Sequence, residues 1–133
     1  MILIGKLLFV MIKKILYTFF AICIAVNSIA VTRTAIVSGD WNTASTWDCT
    51  CVPSSTDDVI IPAGLTITTA IDLSNFNSIT VNTGGKLIIN GNLSFPGGGT
   101  AHIITVNGVL NVNGILNYNK DEADQIVVKS GGS

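Results

Sequence analysis

Beyond its first thirty residues, the 133-residue chain is predicted to be all-β. The expected architecture is a right-handed parallel β-helix, or solenoid, of a few irregular coils with an N-terminal cap. Three observations predict it: apolar and polar residues alternate at period two, Gly- and Asn-rich turns break the alternation into short runs, and two neighbouring stretches repeat.

The alternating runs are "DDVIIP", "LTITT", "NSITV", "KLIIN", "NLSF", "HIITV", "VLNVN", "ILNY" and "QIVVK". Each is short enough for a strand, and helix signals are nearly absent between them. The punctuation is "PAG", "NTGG", "NG", "PGGGT" and a second "NG", residue types that favour turns.

The repeat sets the architecture. "ITVNTGGKLIINGNLSF" (79–95) aligns with "ITVNGVLNVNGILNY" (104–118) once two extra residues are allowed in the first copy. The offset is 25 residues before those two and 23 after them. Asn82, Gly85, Leu87, Ile89, Asn90, Gly91 and Leu93 then match Asn107, Gly108, Leu110, Val112, Asn113, Gly114 and Leu116. A period of this size predicts one coil per copy, each stacked on the last. The glycines are expected to turn corners at positive φ. Asn82 over Asn107 and Asn90 over Asn113 are expected to form amide ladders.

The first thirty residues have a separate reading. Lys13 and Lys14 precede the apolar run "ILYTFFAICIAV", and Ser28 and Ala30 supply small residues at a cleavage site. This is the pattern of a Sec-type secretory signal peptide, 1–30, helical and removed after Ala30, with Met11 an alternative start. Spanning a bilayer would take about 20 apolar residues, more than this run offers. Ile22 stands before Cys23 where a lipid-anchor motif needs a small residue. The remaining divisions are a cap region with a first strand, 31–58, and coils from 59 to 133. The closing "VVKSGGS" reads as the lead-in to another coil.

Charge narrows the partners. Past Ala30 the chain carries Arg33, Lys86, Lys120 and Lys129 against all eight acidic residues, a net −4. A surface so poor in Lys and Arg cannot neutralise a phosphate backbone, so nucleic acid is excluded as a partner class. The membrane is expected only as something crossed during export.

The stretch "ASTWDCTCVPSSTDDVII" (44–61) holds the candidate site residues. Trp41 and Trp47 admit two readings: indoles laid over the open end of the core, or indoles stacked on sugar rings. With no further aromatic platform nearby, the cap reading is favoured. Cys49 and Cys51 form an even pair suited to a local disulfide in an oxidising compartment, with free thiols second. A zinc site comes third, because His102 is the one histidine and a closed site takes four ligands. Asp57 and Asp58 admit reading as half of a calcium site or as a carboxylate pair, but the favoured expectation is that one of them caps or solvates the turn into strand 59–61. "DEAD" (121–124) reads as a solvated loop, and His102 as structural or exposed. No catalytic set, metal site or cofactor is predicted.

"GDWNTASTWDCTCVPSSTDDVIIPAGLTIT" resembles the opening of the eight-glycine (G-eight) extracellular domain. Trp41, Thr46-Trp47, Pro53, Asp58-Val59-Ile60, Pro62-Ala63-Gly64 and Thr66-Ile67 stand in the places of that pattern. The resemblance covers residues 39 to about 118, and Cys-Thr-Cys replaces the usual Gly-rich link before Pro53. The repeats are also similar to parallel β-helix stretches of bacterial surface proteins. The resemblance implies a secreted or cell-surface module, with extracellular polysaccharide or neighbouring domains of a longer surface protein as partners. It supplies no catalytic residues. The expected function is a non-catalytic scaffold or adhesin-like binding surface, associated with glycans. The alternative is the N-terminal part of a carbohydrate-active β-helix enzyme, a polysaccharide lyase or hydrolase. A third reading, the hexad repeat of acyltransferases, draws on the six-residue spacing of Gly85, Gly91 and Gly97. It is the weakest, since "PGGGTAHI" breaks the spacing.

Overall fold

A computed structural model describes residues 30–118 and 123–133. The predicted signal peptide lies outside them except for Ala30. Eleven short strands follow in order among the described residues: β1 (Thr32–Thr34), β2 (Gly39–Asp40), β3 (Asp58–Ile61), β4 (Thr66–Thr69), β5 (Ser78–Val81) and β6 (Lys86–Ile89). Then come β7 (Leu93–Ser94), β8 (Ile103–Val106), β9 (Val109–Val112), β10 (Leu116–Asn117) and β11 (Gln125–Val128). The sole helical piece among the described residues is a 3-10 turn at Ala44–Thr46.

Consecutive strands do not pair as hairpins. The strands collect into three sheets with orders β1-β3-β5-β8-β11, β2-β4-β6-β9 and β7-β10, every strand pair within them parallel. An isolated parallel bridge from Leu73 to Leu93 extends the third sheet back by one coil. The chain therefore winds as a three-sided parallel β-solenoid.

The repeat sets the register. Ile79 pairs with Ile104 and Val81 with Val106 at an offset of 25, while Leu87 pairs with Leu110 and Leu93 with Leu116 at 23. The preceding coil is shorter, with Asp58 over Ser78 and Thr66 over Lys86, 20 residues in each case. The added residues lie at the corner after β7, where "PGGGT" intervenes before β8.

Period-two alternation puts one apolar set inside the tube. Val59, Ile61, Ile67, Ile79, Val81, Leu87, Ile89, Leu93, Ile104 and Val106 are all buried. Each such burial contributes roughly 1.5–3 kcal/mol. Phe76, Phe95 and Tyr118 line up at one corner of successive coils, with ring centroids 5.8 Å and 4.8 Å apart. Toward the last coil the burial thins. Leu110, Val112 and Ile126 are partly buried, and Ile115, Leu116, Tyr118 and Val128 are exposed.

The repeated glycines have a different cause from the one expected. Gly85, Gly91, Gly108 and Gly114 are not among the positive-φ residues. They are glycines because the coil above leaves no room for a Cβ. At Gly91 that atom would lie 2.6 Å from the Asp72 backbone nitrogen, and at Gly108 it would collide with the Gly85 carbonyl. Among the described glycines, positive φ falls instead on Gly64 and Gly84, in the turns between the first and second sheets, and on Gly98, Gly99 and Gly131.

The amide ladder also forms only in part as expected. The Asn113 side chain donates to Asn90 Oδ1 at 2.8 Å. At Asn82 and Asn107 the inter-coil bonds are backbone ones, to the carbonyls of Ile61 and Val81. A second ladder runs through Asp72 and Asn92. The Asn92 N–H donates to Asp72 Oδ1 and the Ile115 N–H to Asn92 Oδ1, both at 2.8 Å.

Candidate functional site

The segment 41–57 leaves the coil after β2 and returns at β3. On the way it crosses the outer edge of β1. The Ile36 N–H donates to the Thr46 carbonyl at 2.9 Å and the Asp48 N–H to the Thr34 carbonyl at 3.0 Å, an antiparallel bridge centred on Ala35 and Trp47. An otherwise open strand edge is thereby paired. Both sheets also reach back into the region expected to form mainly a cap, since β1 pairs with β3 and β2 with β4.

The two indoles meet edge to face, centroids 5.0 Å apart, and the Trp47 Nε1–H donates to the Trp41 carbonyl at 2.7 Å. Trp41 is 2 % exposed and Trp47 fully buried, within the same apolar cluster as Val59 and Ile67. Neither ring presents a face on which a sugar could stack. A cleft of about 180 Å³ does open alongside, bordered by Trp41, Asn42, Val52, Pro53, Asp72 and Asn75 among others.

Cys49 and Cys51 are joined by a disulfide, with Cys49 packed against the core. Thr50 between them has φ 54°.

Asp57 and Asp58 diverge, as neighbours entering a strand must. Asp57 is buried and its Oδ2 accepts from the Ser54 N–H at 2.8 Å and the Ser54 hydroxyl at 2.9 Å, with Arg33 Nε at 3.4 Å. Burial pushes its carboxyl pKa up, but the Ser54 bonds and Arg33 outweigh this, so it lies below the ordinary value. Asp58 Oδ1 instead accepts from the Asn77 amide at 2.8 Å and the Ser78 hydroxyl at 2.6 Å on the next coil.

The lowered Asp57 value carries a pH prediction. The stability it adds is present above the unfolded carboxylate's value near 3.8 and is lost as pH falls through the lower folded value. In urea unfolding, wild type should exceed Asp57→Asn most at neutral pH, and the gap should shrink below about pH 4. A gap that stays constant down to acid pH would contradict this assignment.

The "DEAD" segment is not wholly a solvated loop. Asp121 and Glu122 lie outside the described residues, but Asp124 is buried. Its Oδ1 accepts from the His102 backbone N–H at 2.8 Å and lies 3.3 Å from His102 Nδ1. A carboxylate holding Nδ1 is also how a general-base histidine is oriented. Here the same oxygen takes the backbone N–H as well, so it ties the lead-in of β11 to the start of β8. Ser55, Thr56, Asn77 and Thr100 border a cleft of about 190 Å³ beside His102.

Sequence reasoning thus missed the Asp72–Asn92 ladder and the His102–Asp124 tie. Both join residues a coil apart, and only the register makes them neighbours. The signal that would have found the first is the repeat, extended back by one coil of 20 residues.

Among the described residues no group of three or more His, Cys, Asp or Glu is placed to hold a metal ion. Among curated proteins and among solved structures no significant match is found. A family model does match: the G8 domain, over residues 46–133. That span holds Trp47, Pro53, the Asp-Val-Ile strand β3, the Pro-Ala-Gly turn and every later coil, and the chain belongs to the G8 domain family.

Proposed function

We propose that this chain is a secreted or cell-surface, non-catalytic β-solenoid module that acts as a rigid scaffold and adhesin-like binding surface for extracellular polysaccharide. The observation that supports it most is where the polar side chains are used. Asp57, Asp58, Asp72 and Asp124 each accept hydrogen bonds that fix a turn or join coils. Lyase or hydrolase chemistry needs carboxylates converging on one cleft. Membership of the G8 family is consistent with an extracellular location. In this reading Trp41 and Trp47 close the first coil, and the glycan lies in the cleft beside Trp41, where Asn42 and Asn75 offer amides and Pro53 an apolar wall.

A glycan array tests it. Binding should appear for wild type and fall at least about tenfold in an Asn42→Ala/Asn75→Ala variant, the loss of roughly 1.4 kcal/mol from two hydrogen bonds. Both side chains lie outside the apolar core, so circular dichroism should be unchanged. Binding that survives the double substitution, or turnover of a polysaccharide on the array, would overturn the reading.

A further inference from the structure

The Cys49–Cys51 bond encloses one residue, and that residue carries the strain. Thr50 has φ 54°, the one positive value on a non-glycine among the described residues. A β-branched residue there is a steric outlier costing roughly 1–2 kcal/mol. In return the cross-link gives almost nothing to the fold. A loop closed between residues two apart removes little entropy from the unfolded chain. A bond that strains the native backbone without constraining the unfolded one is poorly suited to a staple.

We propose that Cys49–Cys51 is a thiol–disulfide exchange site, which oxidises a small-molecule thiol or a dithiol, with Cys51 attacked and Cys49 leaving. Two contacts set that direction. The Cys51 N–H points at Cys49 Sγ, 3.2 Å away, where it can hydrogen-bond the sulfur as it leaves, and the Cys51 carbonyl, also at 3.2 Å, accepts from that sulfur once it is protonated. Both cysteines are half-buried, but Cys49 packs against the core cluster, which hinders approach to its sulfur.

An incoming thiolate bonds to Cys51 Sγ, the Cys49–Cys51 bond breaks, and its electron pair leaves on Cys49 Sγ. A second thiolate attacks the incoming sulfur and releases the Cys51 thiolate. Two thiols have become one disulfide, and the two cysteines have gained two electrons and two protons. Thr50 is then free to return to negative φ, which favours the reduced protein. The segment that relaxes is held elsewhere by the Asp48 and Ile36 bonds across β1 and by buried Trp47, so the solenoid survives reduction.

The test equilibrates the full oxidised chain with graded mixtures of reduced and oxidised glutathione. Free thiols are then alkylated and located by peptide mass mapping, with circular dichroism on each sample. The bond should open within the series with the sheet signal intact, and acid-quenched samples should carry the glutathione adduct on Cys51. Thr50→Asn, whose side chain tolerates the left-handed region, should need a ratio about threefold to tenfold more reducing. The proposal is overturned by a bond that stays closed throughout, by an adduct on Cys49, by a Thr50→Asn midpoint equal to wild type, or by loss of sheet on reduction.

Discussion

Gly108→Ala should destabilise the protein by about 3 kcal/mol or more, the upper end of what overpacking costs, because nothing near the new methyl can move aside. The added Cβ would collide with the backbone carbonyl of Gly85 and with that of Asn82, both in the coil above. These are rigid backbone atoms within a parallel ladder, and making room means separating β6 from β9. Gly64→Ala is the control. That glycine has φ 79° and no atom within 4 Å of a Cβ position. It should lose only the left-handed penalty of roughly 1–2 kcal/mol. Urea unfolding of the two variants separates close approach from backbone conformation as the reason these turns need glycine. Equal losses would contradict the stacking geometry.

Trp47→Ala should cost about 3–5 kcal/mol, the range for truncating a buried aromatic, and Trp47→Phe clearly less. Three contributions are lost together: complete burial of the ring, its edge-to-face contact with Trp41, and the indole N–H bond to the Trp41 carbonyl. The main chain beside Trp47 also pairs the edge of β1. Loosening this segment therefore exposes a strand edge as well as a cavity, and the variant should gain a concentration-dependent tendency to aggregate. Thermal unfolding followed by light scattering reads both effects. A Trp47→Ala protein as stable and monodisperse as wild type would show that the indole seals nothing.

Most of the fold was legible because its period is written in side chains. Leu87 over Leu110 and Ile79 over Ile104 follow from aligning two stretches of sequence, and the alternation says which residues point inward. β1 and β2 were not legible. "TRT" and "GD" are too short and too polar to stand out, and they are strands only because β3 and β4 offer them a ladder. The glycine positions were legible but their cause was not, because backbone approach between coils depends on register in three dimensions. At the candidate site, the aspartates pointed to turns rather than to chemistry, and Asp57 does hold its turn with Ser54. The partner of His102 was hidden because Asp124 is 22 residues away, in a segment whose acidity alone suggested solvent.

The central claim is that strands pair in parallel, one coil apart, and never with their chain neighbours. Backbone nuclear Overhauser contacts in solution test it most directly. The account predicts parallel-type contacts between Ile79 and Ile104, Leu87 and Leu110, and Ile67 and Leu87. Close Hα–Hα contacts between residues 78–81 and 86–89, the mark of an antiparallel hairpin, would contradict it.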